Sequence, residues 1–316
     1  KKESYRPISL ISCLMKIFNT MVKNRLEWFT QENNLIPDTQ YGFRKQKGCG
    51  DYLIHLMADI NLALSHKEHT MLVSLDLSKA YDKVNIAVLL RKMYIYGIPS
   101  KFILHCQKWL IDRQINFKLS KPSDNCTRIT CRGLPQGSVI SPTLFALYIA
   151  DINQELLQNV KSLQYADDIV LYCSDKSLVK SIKDTQTALY QLERYAERLG
   201  LEYNPNKCKT MCFSRSRILA EDTIQLYLQT KLIPVYRSIK LVGVTLDNKL
   251  TFKEHIENVQ RQGLKDINIL KIMACGKKGA QPYFITRVYQ SLIRPKLEYA
   301  CFLFGHIANS HLNKWK

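Results

Sequence analysis

Long apolar runs are missing from this 316-residue chain. No stretch reaches the ~18 uninterrupted apolar residues that a membrane-spanning helix needs, so no membrane span is expected. Glycine and proline are few, 12 and 10, beside 46% hydrophobic residues, which excludes a collagen-like or disordered chain. The 10 cysteines are scattered, which excludes a small disulfide-stapled scaffold and reads as thiols of a reducing compartment. Acidic residues are scarce, 27 against 46 Lys and Arg, leaving a net charge of +19. Such a surplus points to an anionic partner, either nucleic acid or an acidic membrane surface, without choosing between them. The opening lysines precede an apolar run, but Arg6-Pro7 and Lys16 interrupt it, so a signal peptide is not expected. The chain opens on Lys1 rather than Met and reads as a piece of a longer protein.

Several chemical motifs are also missing. The loop Gly133-Leu134-Pro135-Gln136-Gly137-Ser138 lacks the Gly-Lys-Ser/Thr ending of a P-loop. Cys208 and Cys212 have no Cys/His pair at finger spacing after them, so they read as structural thiols. Cys126 and Cys131 do no better, and the seven histidines are scattered. No repeat, low-complexity tract or Pro/Ser-rich linker divides the chain.

What is present is an alternation of helices and strands, the pattern of an α+β fold. Apolar residues recur at helical spacing from Ile11 to Phe29, with Leu14, Ile17, Phe18, Met21, Val22, Leu26 and Phe29 on one face. A turn-rich stretch follows at 35–50, then a helix over Tyr52–Ser65. Met71–Leu77 reads as a buried strand with Asp76 at its end. Helices are predicted over Asn85–Tyr94 and Phe102–Leu110, and a strand pair over 115–120 and 126–131 around a turn at Pro122–Asn125. A Gly/Pro-rich loop then leads into a helix over Pro142–Asn153. SLQYADDIVLYC reads as strand, turn, strand. Leu178–Leu199 is an amphipathic helix stopped by Gly200. Single strands are predicted at Lys209–Phe213 and Leu241–Leu246, and the remainder is helical and basic.

Asp76, Asp167 and Asp168 are the most informative constellation. If their strands share a sheet, the carboxylates converge on one edge, where close like charges call for a proton or a hard divalent cation. Two Mg²⁺ ions there would activate a hydroxyl and stabilise charge developing on a phosphate. Each aspartate taken singly reads equally well as a turn or solvated strand-end residue. Tyr81 could close a nucleotide pocket or simply fill the core. Asp82 reads as a cap for the helix after it and is left outside the metal set. The Gly133–Ser138 loop allows close backbone approach, and its Gln and Ser can hydrogen-bond a base or sugar edge.

Six segments in order, RPISL (6–10), LIPDTQYGFR (35–44), DLSKAYDKV (76–84), GLPQGSVISPTLF (133–145), YADD (165–168) and LVGVTLDNKL (241–250), resemble the reverse transcriptase domain of non-LTR, LINE-type retrotransposons. The resemblance covers essentially the whole chain. Group II intron and telomerase catalytic subunits share the chemistry, but the QYGFR and SKAYDKV wording is more LINE-like.

The resemblance implies a right-hand polymerase with an antiparallel palm sheet, fingers, and a helical, incomplete thumb. Residues 1–70 would be fingers-like, 71–240 palm with interleaved finger elements, and 241–316 a primer-grip segment and partial thumb. It implies RNA-directed DNA polymerase activity, with an RNA template, a DNA primer, their hybrid and dNTP as partners, and no membrane. Asp76, Asp167 and Asp168 match the catalytic, metal-holding carboxylates, with two Mg²⁺ ions and Mn²⁺ as a substitute. Tyr81 matches the aromatic residue under the incoming sugar, and Gln136 and Gly137 the loop that positions template and nucleotide. Arg44 matches the fingers surface near template or triphosphate, and Leu241, Val242 and Gly243 fall in the primer grip. Work in the nucleus or a cytoplasmic ribonucleoprotein follows by the same implication. No segment resembles the endonuclease or Cys/His knuckles that some such elements carry. The competing reading is a non-catalytic RNA-binding module that kept the fold.

Overall fold

The computed structural model describes residues 8–117, 126–216, 223–275 and 279–306. Helix α1 (Cys13–Glu32) begins where Ser12 accepts a hydrogen bond from the Met15 amide, satisfying one free N–H of the first turn. It is followed by α2 (Cys49–Ser65), strand β1 (His69–Asp76), the single turn α3 (Ala80–Lys83), α4 (Ile86–Ile95) and α5 (Ser100–Leu110). Strands β2 (Arg113–Phe117) and β3 (Cys126–Thr130) form an antiparallel pair, and the predicted turn at 122–125 lies outside the described residues. Next come α6 (Ser141–Tyr148), a 3₁₀ turn at Ile152–Glu155, β4 (Val160–Tyr165), β5 (Asp168–Asp175) and α7 (Leu178–Leu199). The chain continues through β6 (Lys209–Phe213), the two-residue strands β7 (Tyr227–Leu228) and β8 (Lys231–Leu232), β9 (Ser238–Leu241) and β10 (Val244–Asp247). Helices α8 (Lys253–Ala274), α9 (Pro282–Val288) and α10 (Arg294–Glu298) follow, and a 3₁₀ helix at Cys301–His306 closes the described part.

The central sheet has the order β4-β5-β1-β6, every pair antiparallel. Side chains alternate between its faces with a period of two, and the two hydrophobic clusters follow that alternation. Met71, Val73 and Leu75 of β1, with Ile169, Leu171 and Cys173 of β5, pack under α4, α6 and α7. Leu72, Val170, Tyr172, Met211 and Phe213 face the other way, beneath α2 and the β9–β10 hairpin. Asp76 and Asp168 share that second face, because each lies an even number of residues from Leu72 or Val170. The fold is therefore mixed α+β with antiparallel sheets.

Four elements depart from the sequence reading. The strand predicted at Leu241–Leu246 is a hairpin, turned by Val242 and Gly243 with φ of 42° and 87°. Two successive positive φ values are what a tight two-residue hairpin connection demands. Asp82 does not cap the helix after it: Asn85 does, its side chain accepting from the Ala87 and Val88 amides at 3.0 and 3.4 Å. The helix predicted over Pro142–Asn153 ends at Tyr148 and re-forms as the 3₁₀ turn. In α1, Leu26 is buried and Val22 and Phe29 pack on the core, whereas Leu14, Ile17, Phe18 and Met21 of the same apolar stripe are exposed. By contrast α7 has its predicted bounds, with Ser177 at its N-cap and Gly200 at φ 69° as its stop.

Candidate active site

The site begins with a register. In β1 and β5, Asp76 lies directly opposite Asp168, so the two carboxylates project side by side from one face. In β4 and β5, Tyr165 lies opposite Asp168, leaving only Ala166 and Asp167 to turn the chain. Tyr165, Asp168 and Asp76 thus form one row across three adjacent strands. Asp167 sits on the turn itself. Among the described residues, no group of three or more His, Cys, Asp and Glu side chains is placed to hold a metal ion, the three aspartates included.

The carboxylates differ in surroundings. Asp76 Oδ2 is buried and accepts no hydrogen bond, although the Lys207 ammonium lies 3.4 Å away as an ion-pair partner. Asp168 is exposed, and its charge acts on buried Tyr52, whose phenol is pushed up first by burial and then by Asp168. The ring of Tyr81 stacks on Phe145 of α6 at 5.0 Å between centroids. Burial, and after it the charge of Asp167, hold the Tyr81 hydroxyl well above the usual phenol range. Tyr81 and Asp167 therefore share one neighbourhood although 86 residues apart in numbering.

The glycine-rich loop docks on the segment that carries Tyr81. Leu134 N–H donates to Tyr81 O at 2.7 Å and Gly133 N–H to Val84 O at 2.8 Å. A side chain at Gly133 would meet the Asp82 carbonyl at 2.7 Å, and φ there is +76°. Only glycine satisfies both the approach and the backbone. Gln136 Nε2 donates to Asp82 Oδ1 at 2.8 Å, while the backbone carbonyl of Gln136 accepts from Ser9 N–H at 2.7 Å. Gly137 (φ +102°) lies against the same Ile8-Ser9 segment.

Arg44 is folded back on its own loop, donating to Pro37 O at 2.7 Å with Asp38 3.6 Å away. It lines a cavity of about 300 Å³ with Glu27, Thr30, Asp38, Lys47 and Thr143, and the three aspartates are not among the residues lining it. Leu241 is buried at the end of β9, and Val242 and Gly243 form the hairpin turn. The Tyr299 hydroxyl donates to Val242 O at 2.6 Å and fixes that turn. Cys49 connects the two regions: its hydrogen bond, and then burial, push Tyr165 up to about 12, while burial followed by the same thiol pushes Tyr299 up to about 12.

Sequence reasoning passed over two residues here. Lys207 carried no signal beyond being one lysine in a basic chain. Gln40 lay inside the quoted LIPDTQYGFR segment without a role, and it reaches the Ala166-Asp167 turn.

Residues 1–246 match the family model for reverse transcriptase (RNA-dependent DNA polymerase), and the chain belongs to that family. Within it, the domain is related to the enzymes of non-LTR retrotransposons. It is 28% identical to the RNA-directed DNA polymerase from mobile element jockey of Drosophila melanogaster, over 99% of this chain and 34% of that protein. Against the probable RNA-directed DNA polymerase from transposon BS of the same fly, identity is 29% over 99% of this chain and 35% of that protein. The chain thus spans about a third of the length of these curated relatives. Among solved structures, apo telomerase from Candida tropicalis, truncated from its C-terminal domain, aligns with a TM-score of 0.52 at 12% identity, over 75% of this chain and 44% of that one. That likeness shows a shared fold alone.

Proposed function

We propose that this chain is the polymerase domain of a retroelement protein, an RNA-directed DNA polymerase that adds a deoxynucleotide to a primer 3′-hydroxyl and releases pyrophosphate. The observation that carries the reading is Asp76 paired with Asp168 across β1 and β5, beside the turn that bears Asp167. Family membership and the +19 charge support it. In this reading residues 1–70 act as fingers, 71–240 as palm with interleaved finger elements, and 241–316 as primer grip and partial thumb. The partners are an RNA template, a DNA primer, their hybrid and dNTP. The place of work is the nucleus or a cytoplasmic ribonucleoprotein.

Asp76, Asp167 and Asp168 would hold two Mg²⁺ ions, with Mn²⁺ as a substitute. The donor set suits such hard cations, and Asp76 Oδ2 is buried with no hydrogen bond, its one charge partner being the Lys207 ammonium at 3.4 Å, a cation that a metal ion could replace. When bound, the ions supply neutralisation of phosphate charge and a lowered pKa for the primer hydroxyl. The chain's own residues do the positioning. Tyr81, braced by Phe145, offers a rigid aromatic wall to the incoming sugar, where a 2′-hydroxyl would collide. Its hydroxyl stays protonated, so the wall is neutral beside the anionic triphosphate. Gln136 and Gly137 support template and nucleotide, Arg44 orders the fingers loop near them, and Leu241, Val242 and Gly243 present a tight turn to the primer.

The test is primer extension on a primed RNA template with Mg²⁺. The double substitution Asp167→Ala/Asp168→Ala is expected to lower the extension rate by ~10²–10³-fold or more, as for loss of a principal electrostatic group in other active sites. Binding of template–primer should persist, because removing like charges does not weaken a basic protein's hold on phosphates. Full activity in the double variant overturns the site. A wild-type chain that binds RNA but extends nothing is instead the non-catalytic binding module.

A further inference from the structure

The turn between β4 and β5 has an unusual polar account. Ala166 sits at φ +59°, a conformation that costs an L-residue energy unless its surroundings fix it. The two-residue turn also removes the Ala166 amide and carbonyl from the β4–β5 ladder, so both need partners elsewhere. One side chain supplies both. Gln40 Oε1 accepts from Ala166 N–H at 3.1 Å, and Gln40 Nε2 donates to Ala166 O at 3.3 Å. The same oxygen accepts from Gly42 N–H at 3.0 Å. Gln40 is 1% exposed and Gln164, beside it, 0%, so water does not compete for these groups.

The backbone around Gln40 is fixed as firmly. Residues 39–41 run parallel along β4, with Gln164 N–H donating to Thr39 O at 2.9 Å and Tyr41 N–H to Gln164 O at 2.8 Å. A Cβ at Gly42 would fall 2.2 Å from Ala166 N, so this approach closes to any other residue.

We propose that Gln40 is a positioning residue that holds the Ala166-Asp167 turn and thereby aims Asp167 and Asp168, with Gly42 providing the clearance. The proposal rests on the polymerase reading above, and it acts through the turn rather than on substrate. An amide is required at position 40 because a carboxylate could accept from Ala166 N–H but would repel Ala166 O.

The experiment compares wild type with Gln40→Glu, Gln40→Ala and Gly42→Ala in the full chain. Hydrogen exchange over 163–169 reports the turn, and Mn²⁺ titration followed by electron paramagnetic resonance reports the carboxylates. Melting temperature, template–primer Kd and the Mg²⁺ dependence of extension complete the set. For Gln40→Glu the expected result is exchange at Ala166 faster by tenfold or more, Mn²⁺ and Mg²⁺ half-saturation raised severalfold, kcat lowered at least tenfold and template–primer Kd within twofold. Gln40→Ala should show the same pattern at smaller amplitude, and serves if the glutamate variant fails to fold. A folded variant with unchanged exchange and metal half-saturation overturns the proposal. So does an activity loss that tracks only the folded fraction. A wild type that adds no nucleotide overturns the polymerase reading itself, whereas an active wild type matched by Gln40→Glu overturns the clamp alone.

Discussion

Gln136 ends in an amide with chemically opposite halves, and Asp82 decides which half faces outward. A carboxylate only accepts, so the amide nitrogen must be the half turned to it, at 2.8 Å, leaving Oε1 for other partners. Removing the carboxylate frees the amide to rotate. Asp82→Ala should therefore raise KM for dNTP, by about fivefold for a partly exposed charged hydrogen bond, with kcat nearly unchanged. Single-nucleotide addition under steady state measures both, and an unchanged KM would show that Gln136 needs no anchor. The sequence could not reveal this pair. Asp82 and Gln136 are 54 residues apart, and locally Asp82 looks like a helix cap until Asn85 is seen to take that role. Asp76 was legible because a lone carboxylate ending an apolar strand is conspicuous. That Asp168 would stand beside it was legible only on the condition that their strands share a sheet, because the choice of neighbouring strand depends on tertiary packing and leaves no mark in local periodicity; the register meets that condition.

At the scale of elements, the β9–β10 hairpin is held from two sides, by Tyr299 on its turn and by α8 beneath it. His255 of α8 is 5% exposed, with Nδ1 3.4 Å from the Thr245 amide, Phe304 against its ring and Lys240 nearby in charge. Burial, then the Lys240 charge, lowers its pKa below the ordinary histidine value of 6.5. The sign follows: with a depressed folded pKa, the unfolded chain takes up its proton first as pH falls through about 6.5. Stability contributed by neutral His255 is complete above that value and is lost progressively between it and the folded pKa. His105, also lowered by burial, adds the same slope. Thermal melts between pH 7.5 and 5 should thus fall with acidity, and His255→Gln should flatten the dependence. An equally steep slope in that variant assigns the effect elsewhere. This hairpin escaped sequence reading for a plain reason. Its turn pairs Val242 with Gly243, and a β-branched residue at positive φ disguises a turn as mid-strand. Helix α7 was legible to the residue because its apolar period and its stop at Gly200 agree, and the Ser177 cap in the structure is consistent with both.

For the whole molecule, the alternation of elements made the α+β class legible, while the apolar stripe of α1 misled, since amphipathicity says only that a face is available for burial. Charge is the property that belongs to the chain as a whole. Among the described residues no helix is long and apolar enough to cross a membrane, and the +19 surplus is spread through the entire chain. If that surplus holds a template by its backbone, binding releases condensed counterions, and log K must fall linearly with log salt. A protein engaging ~6–10 phosphates loses about 10³–10⁵-fold in affinity between 50 and 200 mM salt. Fluorescence anisotropy with a primed RNA template should give a loss of that order, nearly independent of template sequence. Asp167→Ala/Asp168→Ala should keep the slope, because the aspartates contribute no cation to be exchanged. A wild-type loss below tenfold over that range would mean that the positive surface is not what grips the strand.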